Sequence, residues 1–183
     1  MTATPTPAPA PDVEAYEQVP LFKGLTPIEI MRLLKSALDV RAKNGDQIVR
    51  EGEPGDGFFV IAQGAFEVRK QRRRESRDPD APARPAAAGA EASAVLARLG
   101  KCSFFGEMSL VTYAPRAATV ACVEDGRLKK FPTAVFEKLL EAGDLAAYKV
   151  IRNMGRILAE RLARMGEKFV AMNPEAPAAA KPS

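Results

Sequence analysis

The spacing of apolar residues divides the chain into an early helix, a central run of short strands and a closing helical region. Thr26 and Pro27 mark the start of the early helix, because threonine caps a first turn and proline fits its first position. The apolar residues that follow at helical spacing are Ile28, Met31, Leu34 and Leu38. We expect this helix to pack across the domain.

From Asp39 the apolar runs become short and are separated by residues that favour turns. These runs predict strands at residues 47–50, 57–62, 65–70, 95–99, 118–123 and 128–131. Many short strands with tight turns are typical of a double-sheet jelly roll whose end is covered by helices. The predicted fold is therefore mainly β: a jelly-roll β-barrel with N-terminal helices and a long C-terminal helix.

Two helices are predicted after the strands, at residues 133–140 and 144–170. The second carries one apolar stripe, made of Ile151, Met154, Leu158, Leu162, Met165 and Phe169. This stripe is longer than the cover of a small domain requires, so it predicts a lid over a ligand, a dimer seam, or both. A homodimer through this helix is favoured over a monomer, and both remain open.

The two ends of the chain are rich in Ala and Pro. Such compositions bury too little apolar surface to offset the entropy of ordering. We therefore predict disordered tails at residues 1–15 and 171–183, which leaves one folded domain at residues 16–170. We expect this domain to stand alone, because 183 residues are enough for one substantial core and short for two.

Residues 71–93 interrupt the strand pattern with many Ala and Pro residues and with no helical or strand period. Their basic run, residues 72–74, is followed by carboxylates at Glu75, Asp78 and Asp80. These carboxylates offset the positive charge, and no aromatic residues are interleaved. We therefore predict an exposed, solvated insertion loop, in preference to a contact with nucleic acid or an acidic partner.

Composition limits the chemistry that the chain can perform. It has no histidine, the commonest general base and metal ligand, so we predict neither an enzyme nor a metal site. No apolar run approaches the roughly 18 residues of a membrane span and no secretory signal opens the chain, so we expect a cytoplasmic protein without membrane association. Cys102 and Cys122 are then expected to stay reduced. The net charge of +4 is compatible with an anionic ligand.

Residues 106–118 carry the most informative chemistry. Gly106 allows a ligand to approach closely, and a short helix beginning near Glu107 would point free backbone N–H groups at an anion. Arg116 offers a planar fork of donors for a phosphate. Glu107 offers only acceptors when it is ionised, which suits a sugar hydroxyl and repels a second phosphate. One phosphate and one ribose hydroxyl fit this pair.

These residues resemble the phosphate-binding cassette of cyclic-nucleotide-binding domains, a family found in the catabolite activator, protein kinase A regulatory subunits and nucleotide-gated channels. The resemblance runs from about Tyr16 to Phe169 and includes Gly64 and the turn at residues 50–56. It implies that Glu107 binds the ribose 2′-hydroxyl and that Arg116 binds the cyclic phosphate. We expect the turn to be structural rather than a ligand contact, because its glycines supply positive φ.

The resemblance also implies the rest of the site. The ligand-binding residues that it implies are Gly106, Glu107, Met108, Ser109, Arg116, Ala117 and Ala118. Val68 and Leu96 are expected as walls for the base, and Arg156 as a residue of the lid. Ala117 stands where cyclic-GMP-selective relatives often have a threonine that contacts the guanine, so cyclic AMP is favoured over cyclic GMP as the ligand.

The function implied is a non-catalytic sensor that binds a 3′,5′-cyclic nucleotide and relays the signal to an unidentified effector protein through the C-terminal helix. One alternative is a degenerate, ligand-free interaction scaffold. Another is a dimeric regulator that acts with a separate DNA-binding or effector protein. Direct DNA binding is not expected, because an Ala- and Pro-rich tail follows the long helix where the activators continue into a helix-turn-helix.

Overall fold

A computed structural model describes residues 13–71 and 93–172. The predicted insertion at residues 71–93, apart from its two ends, lies outside the described residues, as does most of each predicted tail. The described elements are α1 (Val13–Glu17), a 3-10 turn (Pro20–Phe22), α2 (Pro27–Ser36), β1 (Leu38–Ala42), β2 (Gln47–Val49), β3 (Gly57–Gln71), β4 (Ser93–Leu99), β5 (Phe104–Phe105), α3 (Glu107–Thr112), β6 (Thr119–Pro132), α4 (Thr133–Glu141) and α5 (Leu145–Met172).

The first helix corrects the predicted N-terminal boundary. α1 begins at Val13, inside the predicted tail of residues 1–15. Val13 and Ala15 pack against the core, and Tyr16 is buried in it. The Ala- and Pro-rich composition ends at Pro11, so one apolar turn after it is too short to stand out in the composition.

The predicted cap of the early helix is confirmed. Thr26 Oγ1 accepts a hydrogen bond from Glu29 N at 3.3 Å, and the Glu29 carboxylate accepts one from Thr26 N at 2.7 Å. The helix ends at Ser36, so Leu38 belongs to β1 and is exposed there. The buried residues of α2 are Ile30, Leu33 and Leu34, so Leu34 is the one buried member of the predicted stripe, whereas Ile28 is 71% exposed.

The central strands are longer than predicted. The two predicted strands on either side of Gly64 form one strand, β3, and those on either side of Gly126 form one strand, β6. Gly64 has a φ of 90°, and a Cβ there would lie 2.7 Å from the Cα of Gly126. β3 and β6 therefore bend together at facing glycines, where no side chain would fit, instead of breaking into separate hairpins.

All six described strands belong to one antiparallel sheet, with the order β1-β6-β3-β4; β2 also pairs with β6, and β5 with β3. One buried cluster lies among the strands and contains Phe59, Phe66 and Phe105. A second joins the sheet to the helices and contains Phe58 and Phe131, whose rings stack at 4.7 Å. Because Phe58 and Phe59 are consecutive in β3, they serve opposite faces of the sheet. The predicted mainly β architecture with flanking helices is confirmed.

The first half of α5 is anchored to the N-terminal elements. The buried side-chain amide of Asn153 donates hydrogen bonds to the carbonyl oxygens of Leu21, at 2.9 Å, and of Lys23, at 2.8 Å. Lys149 forms an ion pair with Glu29 of α2 at 2.8 Å. These contacts fix the direction in which the helix leaves the body of the domain.

The second half of α5 extends beyond the core. Of the predicted apolar stripe, Met154 is fully buried, whereas Leu162, Met165 and Phe169 are 71%, 67% and 64% exposed. The core therefore uses only the first part of the stripe. Within the described ranges, none of the helices combines the length and apolar character needed to cross a membrane.

Candidate ligand-binding site

Gly106 turns the chain from β5 into α3 in a conformation that favours glycine. Its φ is 81°, and it forms the N-cap of α3, which begins at Glu107 as predicted. A Cβ at this position would lie 2.6 Å from Nη1 of Arg116. Glycine is therefore required here both by the backbone conformation and by the close approach of the arginine.

Arg116 is the buried cation of the site. Its side chain is only 3% exposed. Nη1 donates hydrogen bonds to the Gly106 carbonyl oxygen at 3.1 Å and to Ser109 Oγ at 3.2 Å. Burial is the main influence on this group and lowers the pKa of Arg116, an effect that the nearby Asp56 carboxylate opposes. The guanidinium is thus held in a fixed orientation in a partly desolvated place.

Asp56 joins the predicted structural turn to this arginine. Its Oδ1 accepts a hydrogen bond from Nη2 of Arg116 at 3.2 Å, and its Oδ2 pairs with Lys130 of β6. Partial burial alone would raise the pKa of Asp56, but the hydrogen bond and charge of Lys130, together with the charge of Arg116, outweigh burial and hold that pKa below its ordinary value. The carboxylate is therefore ionised beside the buried cation.

The backbone of the same turn supports the cassette. Gly52 N donates to the carbonyl oxygen of Arg116 at 2.9 Å, and Arg116 N donates to that of Glu53 at 2.8 Å. A Cβ at Gly55 would lie 2.1 Å from the Cβ of Ser109. The turn packs directly against the cassette, which agrees with the structural role that the sequence predicted for it.

Glu107 is buried, with 6% of its side chain exposed. Its Oε1 accepts a hydrogen bond from Nη1 of Arg161 at 2.7 Å. Arg161 belongs to α5, and its guanidinium lies 4.9 Å from the centroid of the Phe104 ring. The closing helix therefore reaches the cassette through Arg161, a residue that the sequence analysis did not single out.

Arg156, the predicted lid residue, lies elsewhere on α5. Its guanidinium pairs with Glu160 at 3.0 Å, and its side chain is 49% exposed. At 3.6 residues per turn, five positions along a helix rotate a side chain by about 140° beyond a full turn. Arg156 and Arg161 therefore lie on different faces, and only Arg161 is in contact with the cassette.

The other predicted residues lie on α3, β3 and β4 and in the loop between α3 and β6, which holds the exposed Ala117 and the partly buried Ala118. Met108 is exposed on α3, and the Ala117 carbonyl oxygen accepts a hydrogen bond from Lys70 Nζ at 2.7 Å. Val68 is partly buried on β3 and packs against the buried cluster that lies among the strands. Leu96 lies on β4 and is 58% exposed. Their roles as walls for a base remain predictions.

An open cavity of about 490 Å³ adjoins this group of residues. Its lining residues are Val40, Asp46, Gln47, Ile48, Arg50, Phe59 and Lys130. Phe59 lies 5.8 Å below the Arg116 guanidinium, and Lys130 pairs with Asp56. The cavity thus shares two residues with the surroundings of Arg116, whereas the cassette residues themselves lie outside its lining.

Comparison with known proteins identifies the family. Residues 86–142 match the family model described as the cyclic nucleotide-binding domain, and this match contains the whole of the segment from Gly106 to Ala118. This segment of the chain belongs to the cyclic nucleotide-binding domain family. The resemblance that the sequence predicts is therefore confirmed.

Two curated relatives of this cyclic nucleotide-binding domain are kinase regulatory subunits. The cAMP-dependent protein kinase type II regulatory subunit of Drosophila melanogaster is 31% identical over 128 residues, which cover 69% of this chain and 29% of that protein. The cAMP-dependent protein kinase regulatory subunit of Mycosarcoma maydis is 35% identical over 115 residues, covering 61% of this chain and 18% of that protein. The chain spans less than a third of the length of either relative.

A solved structure supports the predicted fold of this family member. The Catabolite Activator Protein of Thermus thermophilus superposes with a TM-score of 0.69 at 24% sequence identity. The match covers 84% of this chain and 63% of that one. The jelly-roll fold with flanking helices is therefore confirmed.

Proposed function

We propose that this cyclic nucleotide-binding domain is a non-catalytic sensor that binds 3′,5′-cyclic AMP and relays its presence to a partner protein through α5. The observation that carries this proposal is the buried guanidinium of Arg116, oriented by Gly106, Ser109 and Asp56. A charged group held in place before the ligand arrives loses little conformational freedom on binding.

The cyclic phosphate is the group that Arg116 is suited to bind. A singly charged phosphate ester matches one guanidinium, and charge-assisted hydrogen bonds are strong where water is partly excluded. Asp56 is 68% exposed in its side chain, so its carboxylate can turn to water when the phosphate takes over Nη2. Arg116 then exchanges one anionic partner for another and is never left unpaired.

The ribose is the group that Glu107 is suited to bind. Its ionised carboxylate has acceptor sites on both oxygens, and a 2′-hydroxyl donates one hydrogen bond. Glu107 and Ser109 both lie on the six-residue helix α3, and Arg116 bonds to Ser109. One short segment thus presents an acceptor for the sugar and a cation for the phosphate.

Cyclic AMP is the favoured nucleotide for two reasons. The two curated relatives named above are both described as cAMP-dependent regulatory subunits. Ala117 has no side-chain hydroxyl with which to contact a guanine, so the residue after Arg116 adds nothing to cyclic GMP recognition.

A binding role accounts for the residues better than catalysis. The sequence has no histidine. Within residues 13–71 and 93–172, no group of three acidic, cysteine or histidine side chains is arranged to hold a metal ion. Hydrolysis of a phosphodiester needs a base, a metal ion or a nucleophile beside the phosphate, and a sensor needs none of them.

The relay is proposed for α5 because this helix has two different halves. The first is anchored by Asn153 to the N-terminal elements, and the second carries Arg161 to the cassette. Beyond that contact, Leu162, Met165 and Phe169 form an exposed apolar surface. We propose that this surface meets a partner protein or a second copy of the chain, and that the ligand controls its availability.

Isothermal titration calorimetry on the full chain tests the proposed function. We expect wild-type protein to bind cyclic AMP more tightly than cyclic GMP. Arg116→Ala should weaken cyclic AMP binding at least about tenfold, because hydrogen bonds to a charged partner are lost. Arg127→Ala, which changes an exposed arginine of β6, is the matched control and should bind as the wild type does. Unchanged affinity in Arg116→Ala, or no binding of either nucleotide by the wild type, would contradict the proposal.

A further inference from the structure

Lys70 lies where β3 and β6 part. The two strands are paired up to Arg69 and Thr119, and the cassette residues that precede Thr119 are no longer paired with β3. The side chain of Lys70 crosses this opening, because its Nζ donates a hydrogen bond to the Ala117 carbonyl oxygen at 2.7 Å. A side chain of the sheet therefore holds the residue that follows Arg116.

We infer that Lys70 is a positioning residue of the phosphate site: it fixes the Ala117 backbone so that the Ala117 N–H donates to the cyclic phosphate beside Arg116. This inference rests on the proposed function, since it takes the cyclic phosphate to be the group that Arg116 binds. It adds a second cation to the site, which acts through the backbone rather than by touching the ligand.

The N–H of Ala117 is available to a ligand. No described residue accepts a hydrogen bond from it, whereas both backbone groups of Arg116 are bonded to the turn. A trans peptide group points its N–H away from its C=O. The bond from Gly52 N to the Arg116 carbonyl oxygen therefore directs the Ala117 N–H away from the turn. An exposed residue with an unused donor, directly after a buried guanidinium, is suited to meet an anion.

Lys70 fixes the second peptide group of Ala117. The two peptide planes that flank a residue together define its φ and ψ. The carbonyl oxygen of Arg116 is held by Gly52 and that of Ala117 by Lys70, so both planes are fixed. Alanine has no polar side chain that could supply either bond itself. A donor that is ordered before the ligand arrives loses little conformational freedom on binding.

Glu51 in turn holds Lys70. Its Oε1 lies 3.4 Å from Lys70 Nζ, and its Oε2 accepts a hydrogen bond from Gln71 N at 3.0 Å. The backbone N–H of Glu51 donates to Thr119 Oγ1 at 3.0 Å. Lys70 is 49% exposed, and this carboxylate limits the directions that its ammonium group can take. The carboxylate also offsets the charge of Lys70, which favours an action through Ala117 over direct attraction of the phosphate.

Isothermal titration calorimetry of the full chain with cyclic AMP tests this role. Lys70→Met removes the charged donor and keeps a long side chain. It should raise the Kd by about three- to tenfold, less than a buried charge-assisted hydrogen bond contributes, because Lys70 is half exposed. Lys70→Arg keeps a charged donor and should bind more tightly than Lys70→Met. Unchanged affinity in Lys70→Met, or an equal loss in Lys70→Arg, overturns the inference.

The matched control is Lys43→Met. It removes the same charge from the exposed connection between β1 and β2 and should leave the Kd unchanged. A loss in this variant as large as that in Lys70→Met would mean that net charge alone causes the effect, and it overturns the role of Lys70.

Sulfur substitution in the phosphate supplies a readout that a merely structural role would not move. Each of the two phosphorothioate diastereomers of cyclic AMP replaces one exocyclic oxygen, and sulfur is a weaker hydrogen-bond acceptor than oxygen. The loss caused by Lys70→Met should nearly vanish for the diastereomer whose sulfur faces Ala117, and it should persist for the other. A loss of equal size for cyclic AMP and both diastereomers overturns the positioning role.

The two proposals fail in different ways. Normal binding of cyclic AMP by the wild type with no effect of Lys70→Met overturns the role of Lys70 alone. Absence of binding in the wild type overturns the proposed function and the role of Lys70 with it.

Discussion

Asp56 and Arg116 form an ion pair between a turn and a cassette that lie 60 residues apart in the sequence, with Nη2 of the arginine 3.2 Å from Oδ1 of the aspartate. Asp56 also binds Lys130 of β6. The turn, the cassette and the central strand of the sheet thus meet at one carboxylate. This pair holds Arg116, the residue proposed to bind the phosphate, in position before a nucleotide is present.

The Asp56 carboxylate should make stability depend on pH in the acid range. Its pKa in the folded chain lies below the ordinary value of an aspartate, so its contribution to stability is present above that ordinary value and is lost as the pH falls through the lowered pKa. We expect the difference in unfolding free energy between wild type and Asp56→Asn to be largest near neutral pH and to shrink as the pH falls below the ordinary pKa of an aspartate. Urea denaturation over this range measures it, and a difference that grows on acidification would contradict the assignment.

Gly106→Ala should impair the site more than it impairs the fold. Alanine at a φ of 81° is strained, and its Cβ would meet Arg116 Nη1 at 2.6 Å. We expect a loss of about 1 kcal/mol in stability and a loss of cyclic AMP affinity of tenfold or more, on the order of 1.4 kcal/mol. Chemical denaturation and calorimetry measure the two effects.

Gly143→Ala is the control for that strain. Gly143 has a φ of 71°, but a Cβ there would meet nothing within 4 Å. The variant should lose similar stability and keep its affinity for cyclic AMP. Equal loss of affinity in the two variants would show that backbone strain, rather than the crowding of Arg116, causes the effect.

Glu107→Gln tests the ribose contact when it is combined with 2′-deoxy cyclic AMP. A hydroxyl bound to a charged acceptor contributes about 1.5–3 kcal/mol, so wild type should bind cyclic AMP at least about tenfold more tightly than the deoxy ligand. In Glu107→Gln the two ligands should bind with more nearly equal affinity. A preference for the hydroxyl that is undiminished in the variant would place the ribose elsewhere.

Asn153→Ala should destabilise the domain by loosening α5 at its root. The amide donates to two backbone carbonyl oxygens, of Leu21 and Lys23, and its loss leaves buried acceptors without a partner. We expect a decrease of about 1–3 kcal/mol in the free energy of unfolding. Arg152→Ala, at the neighbouring exposed position, should change stability by less than about 0.5 kcal/mol. Thermal denaturation of both variants checks this, and equal effects would contradict it.

The cassette could be predicted because its chemistry is local in the sequence. Gly106, Glu107 and Ser109 are nearly adjacent, and Arg116 follows after one short helix and a turn. A glycine with positive φ, a carboxylate and an arginine in this order need few long-range contacts to come together. The structure brings them together, and their contacts with a nucleotide remain a prediction.

Arg161 could not be predicted because its role depends on packing between distant elements. Periodicity identifies an apolar stripe on α5, but it does not say which charged position of the helix turns toward α3. That direction is set by Asn153 and Lys149, whose partners lie 132 and 120 residues earlier in the chain. The available signal was the glutamate of the cassette, because a carboxylate that becomes buried on folding requires a cation nearby.

Strand lengths were mispredicted for a related reason. Gly64 carries the signal of a turn, yet it lies inside β3 opposite Gly126 of β6. A single glycine favours a turn when its strand is considered alone. Two glycines on neighbouring strands allow the sheet to bend without ending, and their closeness is visible only in the folded chain.

Thermal unfolding of the full chain with and without cyclic AMP tests the central claim most directly. A ligand that binds the folded state alone raises stability by about 2.7 kcal/mol at a concentration about 100 times its Kd. We expect a rise in Tm with cyclic AMP, a smaller rise with cyclic GMP at the same concentration, and none with cyclic AMP in Arg116→Ala. An unchanged Tm of the wild type with either nucleotide would contradict the account and favour a ligand-free scaffold.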